Sequence, residues 1–176
     1  MFILLSSISA GGASGGGGPI ETSYANPGGT GDRTASITVT SSTGGLQGAH
    51  FEGDLSDLVD GALTQSSADA TYFRQAVQNT GRWLRFDFGV SRTVSELTWR
   101  QNNANTHGDW LFQGSNDGSN FTDLTEPFLF GAVTQVIPVT KNQGGYQYYR
   151  LIGSSGGNTN TTAWLIEAEF KIDAGA

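Results

Sequence analysis

The sequence predicts an all-β domain, a sandwich or barrel of about seven short strands, behind a flexible glycine-rich N-terminal tether. Three observations carry that expectation. The chain holds 26 glycines, only 4 prolines and frequent Thr, Ser and Asn, a composition rich in turn formers and poor in strong helix formers. Apolar residues recur with a period of two in several short runs, which is the spacing of a half-buried strand whose successive side chains face opposite ways. Between two such runs sits Asn116-Asp117-Gly118-Ser119-Asn120, and its Asp-Gly supplies the positive backbone dihedral of a tight hairpin.

In chain order the predicted strands cover residues 36–40, 83–88, 93–100, 110–115, 134–139, 146–152 and 164–172. In the run from Trp83 to Phe88, Leu84, Phe86 and Phe88 share one face while Arg85 and Asp87 take the other. The last strand repeats the pattern: Trp164, Ile166, Ala168, Phe170 and Ile172 are expected to face the core, opposite Glu167, Glu169 and Lys171. Two longer polar stretches, 101–109 and 153–162, are expected to be loops, and loops of that length in a compact domain often carry function.

At 176 residues the chain has room for one domain and a short appendage. Residues 1–10 read as an apolar anchor, 11–32 as a Gly-rich linker and 33–176 as the domain. Residues 11–18 bury no apolar surface and reach about 15 Å on average as a random coil, so the tip Phe2-Ile3-Leu4-Leu5 can dock away from its own domain; a frayed terminus is the alternative. The apolar start is too short for a signal-peptide core and lacks a preceding basic residue. No stretch is long enough to span a bilayer, so membrane insertion is not expected. With no cysteine, stability rests on packing around ten Phe, five Tyr and four Trp. A net charge of −7 opposes binding to phosphate backbones and anionic membranes, and nucleic acid is not an expected partner.

Five pieces of sequence then fall in a telling order: Leu58-Val59-Asp60-Gly61; Trp83-Leu84-Arg85-Phe86-Asp87-Phe88-Gly89 followed by Val94; Gly114-Ser115-Asn116-Asp117-Gly118-Ser119-Asn120-Phe121; Tyr149-Arg150-Leu151; and Ile166-Glu167-Ala168-Glu169-Phe170. Over residues 46–172 this order resembles the discoidin family, the coagulation-factor C-type domain, and its galactose-binding-like relatives among carbohydrate-binding modules. The resemblance implies a discoidin-like jelly-roll β-sandwich. Two features depart from it: Tyr72-Phe73 stands where the family usually has a Trp, and the cysteine pair of many members is absent. More loosely, the Gly-rich start and the run from Gly31 to Thr40 resemble small fibre, spike or decoration proteins of bacteriophages.

The resemblance implies a calcium ion tying the Asp60 loop to Glu167 of the last strand, hard oxygen ligands being what calcium takes. Against it, Asp60 reads as a turn initiator and Glu167 as a solvated strand residue. A sugar site needs an aromatic face for the ring and planar or charged donors for its hydroxyls. The stretch 101–110 supplies amides, an imidazole, a carboxylate and an indole, so the candidate ligand rim is His107, Arg100, Arg74, Asn105, Tyr72 and Trp110. Trp110 alternates with Phe112, which favours the core over a platform. No Gly-x-Ser-x-Gly, His-Glu-x-x-His or phosphate loop is present, and no enzyme is expected. The resulting expectation is a non-enzymatic glycan-binding module on the surface of a virion or otherwise extracellular. Residues 1–10 would hold it to other assembly proteins, in several copies and as a homo-oligomer there. The alternative is a purely structural decoration or adaptor protein.

Overall fold

The computed structural model describes residues 20–42, 51–52, 54–64, 71–73, 79–157 and 163–175. Eleven strands appear among them: β1 (Thr22–Ser23), β2 (Thr38–Ser41), β3 (Phe51–Glu52), β4 (Thr71–Phe73), β5 (Trp83–Gln101), β6 (Asp109–Ser115), β7 (Thr122–Asp123), β8 (Phe128–Leu129), β9 (Thr134–Pro138), β10 (Gly145–Ser155) and β11 (Trp164–Asp173). A 3-10 helix spans Leu55–Val59, its first turn closed by Asp54, whose carboxylate accepts from the Ser56 N–H. All strand pairings are antiparallel. One layer runs β3-β4-β11-β5, with β1 on β11 and β9 on β5. The other sets β5 between β2 and β10, then β6, with β7 and β8 on β6. This is the β-sandwich that the alternating runs predict.

Strand β5 belongs to both layers. Its first half pairs with β2 and β10 and its second half with β11 and β9. The sequence suggests two strands here, 83–88 and 93–100. The chain instead bends at Gly89, whose φ of 70° suits a residue without a side chain, and carries on as one 19-residue strand. The corner is pinned by Tyr149, whose hydroxyl donates to the Arg92 carbonyl at 2.6 Å and accepts from the Val94 N–H at 3.1 Å.

The core between the layers is aromatic. Phe86, Phe112, Tyr149 and Phe170 are fully buried, with Phe86 and Phe88 each meeting Phe170 edge-on at 5.1 Å between ring centres. A second group sits toward one end: Trp99 and Trp110 pack on Phe130 at 4.9 and 5.2 Å. Each such ring contributes about 1.5–3 kcal/mol by leaving water, which is how a chain without disulfides holds a sandwich closed.

Two sequence expectations are corrected here. The folded domain begins before residue 33, because β1 pairs with β11, and the Tyr24 hydroxyl donates to Glu96 at 2.8 Å over the outer face of that layer. Strand β11 does not alternate evenly: its register against β5 shifts between Leu165 and Glu167. Such a bulge turns the side chains beyond it to the other face. Leu165 and Glu167 therefore point inward, fully buried, while Trp164 and Ile166 stay partly exposed.

Candidate functional site

Three chain segments meet at the end of the sandwich above Trp99, Trp110 and Phe130: residues 79–82, 102–109 and 153–157. Gln101, the last residue of β5 and fully buried, organises them. Its amide Nε2 donates to the carbonyls of Asn103, Asn105 and Gly131 at 2.8, 3.1 and 3.0 Å. Its Oε1 accepts from the Trp99 indole at 3.0 Å and meets His107 Nε2 at 3.1 Å. Because that oxygen has no proton to give, His107 is the donor and carries hydrogen on Nε2. The His107 carbonyl in turn accepts from Asn79 Nδ2 at 2.8 Å and from the Trp110 indole at 2.9 Å. Gly108 follows with φ of 82°, and a side chain there would run into the Ser155 carbonyl, so the loop lies directly on the end of β10.

The loop is thus a braced platform. Its outer side presents Asn102, Asn103 and Asp109; the Asp109 carboxylate accepts from the Ser155 hydroxyl at 2.9 Å. The Asn102 side chain accepts from the Trp164 N–H at 2.8 Å, bringing the partly exposed indole of Trp164 to the same rim. Amides, a carboxylate, a hydroxyl and an indole edge or face can together engage the hydroxyls and apolar side of a sugar ring.

The structure redistributes the residues expected at the rim. His107 is 1% exposed, its ring against Phe130 at 5.6 Å, and a group so enclosed supports the loop from beneath and does not line an open surface. Trp110 is fully buried and belongs to the core, as its alternation with Phe112 favours. Arg100 lies on the outer face of the β11 layer, where both its Nε and Nη2 donate to Glu169 at 3.0 and 2.9 Å, away from the loop end. Asn105 does belong to the loop, its N–H donating to the Asn103 side chain at 3.0 Å. The Tyr72 backbone pairs with Trp164 at this end, but its side chain and all of Arg74 lie outside the described residues. Asn102, Asn103, Asp109 and Trp164 at the rim, with Gln101 beneath them, are the additions. A buried amide at a strand end and a bulge-turned indole leave no periodic mark in the sequence.

The Asp60 loop reaches Glu167 through the Gly61 N–H, but the donor set there does not fit calcium. Glu167, fully buried, is paired through Oε1 with the Arg33 guanidinium, and its Oε2 accepts from the Gly61 N–H at 3.1 Å. Arg33, 2% exposed, also donates from Nε to Gly31 O at 2.8 Å and from Nη1 to Gly29 O and Ala168 O, both at 2.9 Å. The buried carboxylate that would ligate a cation is already turned onto a covalently attached one. The Asp60 carboxylate is spent on its own turn, accepting from the Ala62 N–H at 2.7 Å. Burial pushes the Arg33 guanidinium down to about 10, which leaves it charged at neutral pH.

No protein-family model and no curated protein matches the chain. Solved structures do. Chitosan-binding module 1 of a chitosanase/glucanase from Paenibacillus sp. IK-5 matches with a TM-score of 0.54 at 24% identity, over 77% of this chain and 94% of the module. The CBM32 of AlyQ, solved in complex with 4,5-unsaturated mannuronic acid, matches with a TM-score of 0.53 at 20% identity, over 76% of this chain and 92% of that one. The family 32 carbohydrate-binding module of Clostridium perfringens NanJ, solved with galactose, gives 0.54 at 11% identity, over 80% and 97%. At these identities the likeness speaks to architecture, and the motif order, the antiparallel layers and the structural matches agree: this chain has the galactose-binding-like, or discoidin, β-sandwich fold of family 32 carbohydrate-binding modules.

Proposed function

We propose that the chain is a non-catalytic saccharide-binding module whose ligand sits at the loop end, on Asn102, Asn103, Asp109 and Trp164. The observation that carries this reading is the bracing of loop 102–108 by buried Gln101, which holds polar groups in place before a ligand arrives. Pre-organisation of that kind lowers the ordering cost of binding. The reading is supported by the structural neighbours named above, which are carbohydrate-binding modules. The finer reading is display on a larger particle, a virion or fibre held through residues 1–10, with weak single sites made effective by many copies. That part stands on the apolar tip and glycine tether of the sequence.

The test is a glycan array with multivalent protein, followed by monovalent titration of the best ligand against Trp164→Ala and Asp109→Ala. A loss of about tenfold in either variant with melting preserved supports the site; unchanged affinity in both removes it. A structural adaptor is the second reading, favoured by exposed Leu129, Val133 and Val136 beside β8 and β9. It predicts no array signal and burial of that strip in the assembly.

A further inference from the structure

The outer face of the second layer carries a pair of arginines that the loop end does not explain. Arg150 of β10 and Arg85 of β5 are directly opposite in register, and Arg150 is opposite Gln113 of β6 on its other side. Like charges set opposite each other across antiparallel strands destabilise a sheet. Among the described residues neither guanidinium has a carboxylate partner. The nearby acids are held by amides: Asp87 accepts from Gln147 at 3.0 Å and Asp123 from Gln113 at 2.6 Å. This occurs in a chain with 16 acidic and 9 basic residues, where a counter-charge is easily found.

The two guanidiniums are also held in a definite attitude. Arg150 lies under the Phe121 ring at 3.7 Å, and Arg85 has the rings of Trp83 and Tyr148 at 5.3 and 5.5 Å. Each Nε bonds sideways to a neighbouring strand, to Gln113 at 2.7 Å and to Thr40 at 3.2 Å. The terminal Nη groups donate to nothing among the described residues. Planar forks gripped by their faces, with their outer edges free, match a carboxylate, which takes two parallel N–H bonds from a guanidinium. The hairpin after β6 forms one wall. It is fixed there by Asp117, whose Oδ1 accepts from the N–H groups of Ser119 and Asn120 at 2.8 and 2.7 Å, and by Asn116, which accepts from the Gln147 N–H at 3.0 Å.

We infer that this face is a second binding surface, specific for an acidic saccharide whose ring carboxylate is gripped by Arg85 and Arg150. The partly exposed aromatic rings take the sugar's apolar side and Gln113 its hydroxyls. The inference rests on the reading of the chain as a saccharide-binding module but assigns recognition of charge to a surface other than the loop end.

The experiment is titration of the isotope-labelled domain with an oligogalacturonide, and with its neutral methyl ester, read by amide chemical shifts and calorimetry. The acid is expected to perturb amides of residues 83–87, 111–115 and 148–152. Its affinity is expected to fall about tenfold or more in Arg85→Gln and in Arg150→Gln, to fall with added salt, and to exceed that of the ester. Perturbation confined to 102–109 and 153–164 overturns the inference while leaving the loop-end reading intact. Equal affinity for acid and ester overturns charge recognition on any surface. Perturbation on this face with no saccharide found for the loop end upholds the inference and removes the loop-end site. Because the mapping uses the unaltered protein, the result does not depend on the variants folding.

Discussion

Arg33→Ala is expected to be among the most damaging single changes available in this domain. The side chain is 2% exposed and its partner Glu167 is fully buried. Truncation leaves that carboxylate with the Gly61 N–H at 3.1 Å as its remaining donor among the described residues. Gly29 O keeps its bond from the Phe170 N–H at 2.9 Å, but Gly31 O and Ala168 O lose the guanidinium. Removing one member of a buried ion pair typically costs about 3–5 kcal/mol, against a total stability of roughly 5–15 kcal/mol for a domain. For a chain of this length that corresponds to a fall in Tm of roughly 10 °C. Urea and thermal unfolding of the native protein and the Arg33→Ala variant give the number. The double change Arg33→Met with Glu167→Leu removes both charges and is expected to recover a large part of it, since an apolar pair of similar volume avoids the stranded charge. Because Arg33 supplies the positive charge, chelation with EDTA is expected to leave the native Tm unchanged. A loss below about 1 kcal/mol for Arg33→Ala, or a clear drop in native Tm on chelation, would refute the reasoning.

His107→Ala is expected to destabilise by about 2–3 kcal/mol, because it empties a buried site against Phe130 and strands the Gln101 Oε1 bond; a variant that melts normally but binds poorly would put the imidazole back at the rim. Gln101→Leu is expected to cost about 3 kcal/mol and to raise amide exchange selectively across 103–107, and uniform protection there would show that the loop braces itself. Burial alone would raise the Asp173 carboxyl, but hydrogen bonds from Arg92 and the Thr93 N–H outweigh it and hold the group below its ordinary value. A depressed folded value stabilises above the ordinary carboxylate range near pH ~4 and is lost as pH falls through it; Asp173→Asn should therefore flatten the acid limb of urea midpoint against pH, and a parallel curve would contradict this.

Period-two alternation made the first half of β5 readable, since each of Leu84, Phe86 and Phe88 is buried where the pattern places it. The same rule failed in β11, because a single bulge at 165–167 reverses the facing of Trp164 and Glu167, and a bulge has no compositional signature in a run of Leu, Ile and Glu. The loop 101–109 was legible as a loop of unusual length. Its inside and outside were not, because burial of His107 depends on Gln101 and Phe130, residues whose contacts with it are set by tertiary packing. Arg33 was invisible for a related reason: its partner Glu167 lies far along the chain, and nothing near Gly31-Asp32-Arg33-Thr34 announces a buried carboxylate.

Strand β11 is the last of the described strands to be made and also an interior one, flanked by β4 and β5 and carrying β1 on its end. While a ribosome is still producing the chain, the layer therefore has a missing middle: β4 and β5 are both available, but the strand that joins them has yet to emerge. Such a protein waits as an open half-sandwich with its aromatic interior uncovered, and the domain closes in one late event that brings in Glu167 and the first strand together. A stop codon a few residues before Trp164 would accordingly yield an aggregating product.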